Sequence, residues 1–242
     1  MGTDWRDEVY QVYLSRHYAH LNRLDAMGYE LAALTYARTW ERLLPAERDI
    51  LCLDIGCGAG QFLYYLRSRG FKNIVGVDRS VENVELAKQM GFTVIHRDAI
   101  EFLKEELGTT RRYGLISILD VIEHLTKEEL WNLLNLIYQV LQDGGCVLVK
   151  TVNASSLIGL YGRYMDITHE MAFTEETLEQ IFSSVGFSRF EIIQVCLSAK
   201  HSLKEKGRQL MKRGLYWILY RLLEGRPVPR CVDLDITAAA WK

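Results

Sequence analysis

The chain has 242 residues, 49% of them hydrophobic and 25% charged, with a formal net charge of −2. That composition describes a globular protein with a sizeable core, and the near-zero balance excludes a global attraction to nucleic acid or anionic lipid. With only 3 prolines and no visible repeat, the chain also excludes long Pro-rich linkers and repeat arrays.

Met1 to Glu8 is polar and acidic, without the basic start and apolar run of a secretory signal. Residues 1–45 read as a helical region, in which Tyr10, Tyr13, His17 and Leu21 recur at helical spacing and form one stripe. From Ile50 onward short apolar runs alternate with helical patterns, which predicts a parallel α/β sheet. The predicted strands are Ile50–Ile55, Asn73–Val77, Thr93–His96, Tyr113–Leu119 and Val147–Val152, the last entered through a turn at Asp143-Gly144-Gly145. Between them the spacing predicts helices over Gln61–Arg69, Val81–Met90, Ile100–Leu107 and Lys127–Leu141. Thr174 is a predicted N-cap with Glu175 and Glu176 in the first turn, and that helix stops at Gly186. Ser188–Val195 is the sixth predicted strand and Val232–Ala239 the last.

Between these two strands lies a basic insertion. Residues 200–230 hold nine Lys/Arg against Glu205 and Glu224, a local balance of +7 that leaves −9 for the rest. Leu203, Leu210, Met211, Leu215, Ile218, Leu219, Leu222 and Leu223 form a helical stripe there. Two readings follow: a helix pair that covers the sheet or makes a dimer, or a basic amphipathic element on an anionic membrane or lipid-linked substrate. Contact with RNA phosphates is a third and weaker partner. Gly207 and Gly214 count against a single long helix. The expected organisation is a helical lid over 1–45, a core over 46–199, the insertion over 200–230 and a final core strand in 231–242.

Cys52, Cys57, Cys146, Cys196 and Cys231 are scattered and form no CxxC pair, which supports neither a disulfide framework nor a zinc cluster. No run approaches the roughly 18 apolar residues of a spanning helix. The expected location is the cytoplasm, with membrane association through 200–230.

Chemistry enters at Leu53-Asp54-Ile55-Gly56-Cys57-Gly58-Ala59-Gly60, a loop that follows a strand and opens a helix. Its glycines let the backbone come close to a ligand, and the helix start supplies free N–H groups. A dinucleotide loop calls for Gly or Ala at position 61, where this chain has Gln61. Asp54 can meet a cationic amine, which a pyrophosphate lacks. Further acids close the next strands: Asp78 after Gly76-Val77, Asp98 between Arg97 and Ala99, and Asp120 ahead of Val121-Ile122-Glu123-His124-Leu125.

These four motifs, in this order, resemble class I S-adenosylmethionine-dependent methyltransferases over residues 50–195. The resemblance implies a Rossmann-like α/β fold: a seven-stranded, mostly parallel sheet with helices on both faces, an N-terminal helical lid and a helical insertion before the last strand. It implies a cofactor site of Asp54, Gly56, Cys57, Gly58 and Gln61 around the methionine part, with Asp78 and Arg79 at the ribose. Asp98 and Ala99 fall near the adenine and Asp120 at the end of the fourth strand, with Tyr10 and His17 as lid residues.

His169, His124 and Asp120 are the candidate catalytic groups. An imidazole can act as general base for a hydroxyl. Alternatively Glu123, His124 and His169 hold Mg²⁺ or another divalent ion, resembling the metal set of ubiquinone-pathway and small-RNA 2′-O-methyltransferases. Those relatives usually have Glu where this chain has Asp120. The Asp166-to-Thr174 stretch and the basic insertion resemble bacterial sugar and surface-polysaccharide O-methyltransferases, so a hydroxyl of a sugar or glycan precursor is the expected acceptor. The competing readings are an RNA 2′-O-methyltransferase and a quinone or small-metabolite enzyme. Outside the class they are a nicotinamide-dependent oxidoreductase and a non-catalytic scaffold.

Overall fold

The computed structural model describes residues 5–12, 24–193 and 203–242. Two helices, α1 (Trp5–Gln11) and α2 (Ala26–Trp40), precede the sheet. The sheet is built by β1 (Leu51–Ile55), β2 (Asn73–Asp78), β3 (Val94–His96), β4 (Tyr113–Leu119), β5 (Leu141–Val152), β6 (Arg189–Ile192) and β7 (Asp235–Trp241). Helices α3 (Gln61–Ser68), α4 (Val81–Gln89), α5 (Ala99–Leu107) and α6 (Lys127–Val140) link the first five strands. Then come α7 (Gly159–Tyr164), α8 (Glu175–Val185) and α9 (Leu203–Tyr216), the last continuing as a π-helix through Trp217–Leu223.

Local chemistry sets most of these boundaries. Ser80, Asp98, Thr126 and Thr174 each accept a backbone N–H at the start of a helix, and Thr126 with Glu129 closes a capping box. Gly186 ends α8 in the left-handed region, at φ +114°.

Strand order is β3-β2-β1-β4-β5-β7-β6, with all neighbours parallel except β7, which runs antiparallel to both β5 and β6. Alternation along the strands feeds a core on each face. Leu53, Ile116 and Val147 meet α6 and α8 side chains such as Leu134 and Phe182 on one face. Cys52, Leu115 and Leu148 meet Phe62, Tyr65 and Trp40 on the other. Helix α2 therefore belongs in part to the core rather than to a lid: Trp40 and Tyr29 are fully buried.

Three strands differ from their predicted limits by more than one residue. Strand β5 begins at Leu141, which pairs with Tyr113; the register then slips before Cys146 meets Leu115, so Asp143-Gly144-Gly145 is an irregularity inside the strand. Strand β6 is short, and residues 194–195 of its predicted span lie outside the described residues. Strand β7 starts at Asp235 instead of Val232 because side chains claim the backbone before it. Cys231 N donates to Glu175 (2.5 Å), and Asn153 Nδ2 donates to the carbonyls of Cys231 (3.1 Å) and Asp233 (2.9 Å).

The insertion differs more. Instead of a helix pair covering the sheet, the described residues make one continuous helix that passes through Gly207 and Gly214. It is fastened along a single line. The buried Tyr216 hydroxyl accepts from Leu157 N (2.7 Å) and reaches the Val232 carbonyl (3.3 Å), while Lys212 pairs with Asp233 at 2.8 Å. These tertiary contacts outweigh a cost of about 1 kcal/mol per helical glycine.

Candidate active site

The carboxyl ends of β1, β2 and β4 lie level, since Ile55 pairs with both Val77 and Ile118. Strand order reverses at β1, the point where open α/β sheets form a ligand crevice. A cavity of about 730 Å³ opens there.

Its floor is the loop after β1. Gly56 and Gly58 adopt φ of +67° and +53°, conformations that disfavour any side chain, and a Cβ on Gly56 would collide with Val121. Tyr29 donates to the Ala59 carbonyl (2.6 Å), so α2 buttresses the loop. Cys57 offers its backbone only, because its thiol packs against Gly76 and burial pushes that thiol up.

Two acids stand at the strand ends. Asp54 is buried and accepts from Ser117 Oγ at 2.6 Å, and burial pushes its carboxyl up to about 7. Asp78 accepts from Gly58 N and Ser80 N, each at 2.8 Å, one on each oxygen. Burial still raises its pKa. The Asn83 side chain takes a third acceptor position, which leaves the carboxylate one for a ligand hydroxyl. Gln61, Arg79, Asp98 and Ala99 complete this side of the wall. Asp98 already spends one oxygen on capping α5, accepting from Ile100 N (2.9 Å) and Glu101 N (3.2 Å).

The opposite wall carries the imidazoles. His124 and His169 lie with ring centroids 4.7 Å apart, edge to face. His169 Nδ1 is 2.9 Å from the Gly162 carbonyl, which can only accept; the neutral ring therefore carries its proton there and leaves Nε2 as acceptor. His124 Nδ1 is 2.8 Å from Thr168 Oγ1, which itself donates to Asp166 Oδ1 at 2.6 Å. That chain fixes the same tautomer in His124. Burial, and then the neighbouring His169, lower the His124 pKa to about 4. Glu123 is buried beneath them, held by Thr151 Oγ1 at 2.9 Å, and burial raises its pKa.

Asp120, expected beside the histidines, turns elsewhere. Its carboxylate pairs with Lys150 at 2.8 Å, and Lys150 reaches Asp235 at 3.4 Å. Burial lowers the Lys150 pKa, but these two carboxylates outweigh it and hold the ammonium charged. Asp120 still lines the cavity, and at φ +58° it is the one non-glycine in the left-handed region among the described residues.

Helix α1 crosses the mouth. Arg6 grips Glu129 with two bonds (2.6 and 3.0 Å) and also reaches the His124 carbonyl at 3.2 Å. Tyr10 sits with its ring 6.2 Å from that of His124 and beneath the Arg79 guanidinium at 5.1 Å. His17, the other expected lid residue, lies outside the described residues. Arg6, Tyr36 and Lys150 line the cavity without having been singled out in the sequence, because single charges and aromatics on helix and strand faces carry no motif.

A family model described as a methyltransferase domain matches residues 27–191. The chain belongs to that family. No curated protein matches the sequence. Among solved structures, an S-adenosylmethionine-dependent methyltransferase from Archaeoglobus fulgidus is 26% identical, with a TM-score of 0.66, over 88% of this chain and 94% of its own. A possible histamine N-methyltransferase from Thermotoga maritima is 16% identical (TM-score 0.61), over 96% and 99%. The magnesium protoporphyrin IX methyltransferase of Synechocystis, solved with bound cofactor, is 14% identical (TM-score 0.57), over 100% and 98%. The methyltransferase is S-adenosylmethionine-dependent, and its cavity fits that donor. Asp54 offers a buried carboxyl that the amine would hold ionised, the glycine loop a surface free of side chains, and Asp78 an acceptor for a hydroxyl.

Proposed function

We propose that the enzyme moves the methyl group of S-adenosylmethionine onto a hydroxyl of a sugar or glycan precursor, with His169 as the general base. The observation that carries the reading is the His169 ring in the cavity wall, held with its Nδ1 on the Gly162 carbonyl behind it. A hydroxyl must lose its proton as it attacks, and a neutral imidazole held in one tautomer accepts it. The bound donor supplies an electrophilic methyl carbon. The chain's part is to orient the acceptor, take the proton at His169 Nε2 and exclude water beneath α1. Tyr10 and Arg6 serve that exclusion. The sugar as acceptor rests on the resemblance of the Asp166-to-Thr174 stretch.

Methyl-labelled S-adenosylmethionine offered with nucleotide sugars, glycan fragments, histamine and a quinol tests the reading. Label on a sugar oxygen supports it when His169→Ala lowers the rate at least a hundredfold and leaves S-adenosylhomocysteine affinity unchanged. Label on nitrogen, or an undiminished rate in that variant, overturns it.

A second reading has its own observation. Ligand atoms of Glu123, His124 and His169 lie within 4.8 Å of one another, a carboxylate and two imidazoles of the kind that hold divalent ions. An octahedral ion keeps adjacent donors about 3 Å apart, so the widest pair must draw together by up to about 2 Å. A bound ion would acidify the acceptor hydroxyl and replace the histidine base. Activity abolished by a chelator and restored by Mg²⁺ or Mn²⁺ selects this reading; indifference to the chelator selects the base.

A further inference from the structure

Helix α7 is built inside out. Its two buried positions are glycines: a Cβ on Gly162 would lie 2.8 Å from Leu234, and one on Gly159 would lie 2.6 Å from the Asn153 carbonyl. The large apolar side chains of the same stretch face solvent, with Leu160 and Ile167 each 77% exposed and Tyr164 73%. Soluble helices bury that face. The long helix of the insertion repeats the pattern. It docks through Tyr216, while Met211, Leu215, Ile218 and Leu222, at steps of four, three and four, are all exposed. The two segments adjoin, since Tyr216 bonds Leu157 N and Tyr220 bonds the Ser155 carbonyl. Such neighbouring apolar surface marks a site of interaction.

Charge tells which partner covers it. Between residues 203 and 230 stand eight Lys/Arg against two Glu. A second copy docked on the same face would bring cation against cation, whereas an anionic surface would meet its complement. Half-exposed Trp217 and the exposed Tyr161 and Tyr164 are residues suited to the headgroup level. No helix among the described residues is long and apolar enough to cross a membrane. We propose that α7 with its flanks and the insertion helix form one interfacial face that binds an anionic phospholipid bilayer. Met165 and His169, at the end of the α7 stretch, line the cavity, so this face sets the active-site mouth against the lipid headgroups. The proposal stands apart from the choice of methyl acceptor, because vesicle binding is read without one.

Co-sedimentation of the full chain with vesicles of equal phosphatidylglycerol and phosphatidylcholine, and with phosphatidylcholine alone, tests it. The expected result is partition onto the anionic vesicles at least tenfold stronger than onto the neutral ones. The pair Leu160→Glu and Ile218→Glu should remove at least tenfold of that binding. Lys204→Gln, Arg208→Gln and Arg221→Gln together should remove about a hundredfold, at roughly fivefold per charge near the surface. All these positions are exposed, so both variants should keep the wild-type melting temperature and its rise with S-adenosylhomocysteine. Equal binding to both vesicle types, or full binding by either variant, overturns the proposal. So does a wild-type dimer in light scattering that Ile218→Glu turns into a monomer, which would assign the face to a second copy.

Discussion

Burial keeps the Asp54 carboxyl neutral until about pH 7, although Ser117 helps its ionised form. A raised carboxylate pKa means that the folded chain holds a proton the unfolded chain has lost, so this group destabilises the empty enzyme increasingly as pH rises from about 4 to 7. An ammonium placed beside it favours the ionised form and reverses the effect. Affinity for S-adenosylhomocysteine, which carries that amine, should therefore weaken about tenfold between pH 8 and pH 6, as a carboxylate with that pKa passes from mostly ionised to mostly neutral. Calorimetric titration at the two pH values measures it. Asp54→Asn should bind weakly at both and show no such slope; a slope that persists would move the titration to Asp78, whose pKa burial also raises.

At the scale of elements, two helices control access to the cavity by different means. Helix α1 is latched by Arg6 on Glu129, whose carboxyl the Arg6 bonds hold down at about 2. Its stabilisation is complete above about pH 4.5 and is lost as pH falls through 2. Glu129→Gln should keep the fold and speed S-adenosylhomocysteine release several-fold in stopped-flow dissociation, since the latch closes the mouth rather than the core. Helix α7 is set by volume. Gly162→Ala must push back Leu234 and Val152, which overpacking puts at about 1–3 kcal/mol, or roughly 2–12 °C of melting temperature in a chain this size. Calorimetry checks the shift, and because Gly162 also holds His169, catalysis should fall with it. Neither device was legible in the sequence. Arg6 finds Glu129 across 123 positions, and a glycine that faces inward looks like any loop glycine until its neighbours are known. The elements of the sheet were legible, because short continuous apolar runs and capping residues are local signals. The start of β7 was not, because its preceding backbone is claimed by Asn153 and Glu175 from far along the chain. Glycine counts likewise failed at Gly207 and Gly214, where Tyr216 and Lys212 overrule propensity.

The whole molecule joins its two halves at the cavity. Its walls come from the ends of β1, β2 and β4, from α1 and α2, and from the stretch after β5, so a bound ligand touches both sides of the strand-order reversal. The sequence showed the acids of this site because each follows a strand; it could not show that Asp120 would prefer Lys150 over the histidines, since that choice depends on the neighbouring strand. If the chain unfolds as one unit, ligand binding stabilises all of it. S-adenosylhomocysteine at a hundredfold excess over its dissociation constant should add about 2.7 kcal/mol, or roughly 5–11 °C in melting temperature. Asp78→Ala should abolish the rise, because it removes the acceptor of Gly58 N and Ser80 N as well as the acceptor for a ligand hydroxyl. Differential scanning calorimetry separates the outcomes. A single transition that moves by that amount means the cavity and the sheet unfold together. A split transition, with only the upper or lower part moving, would mean that the segments closing the mouth melt apart from the strands that carry the acids. In that case lid opening, rather than the strength of the individual contacts, would limit how long the donor stays bound.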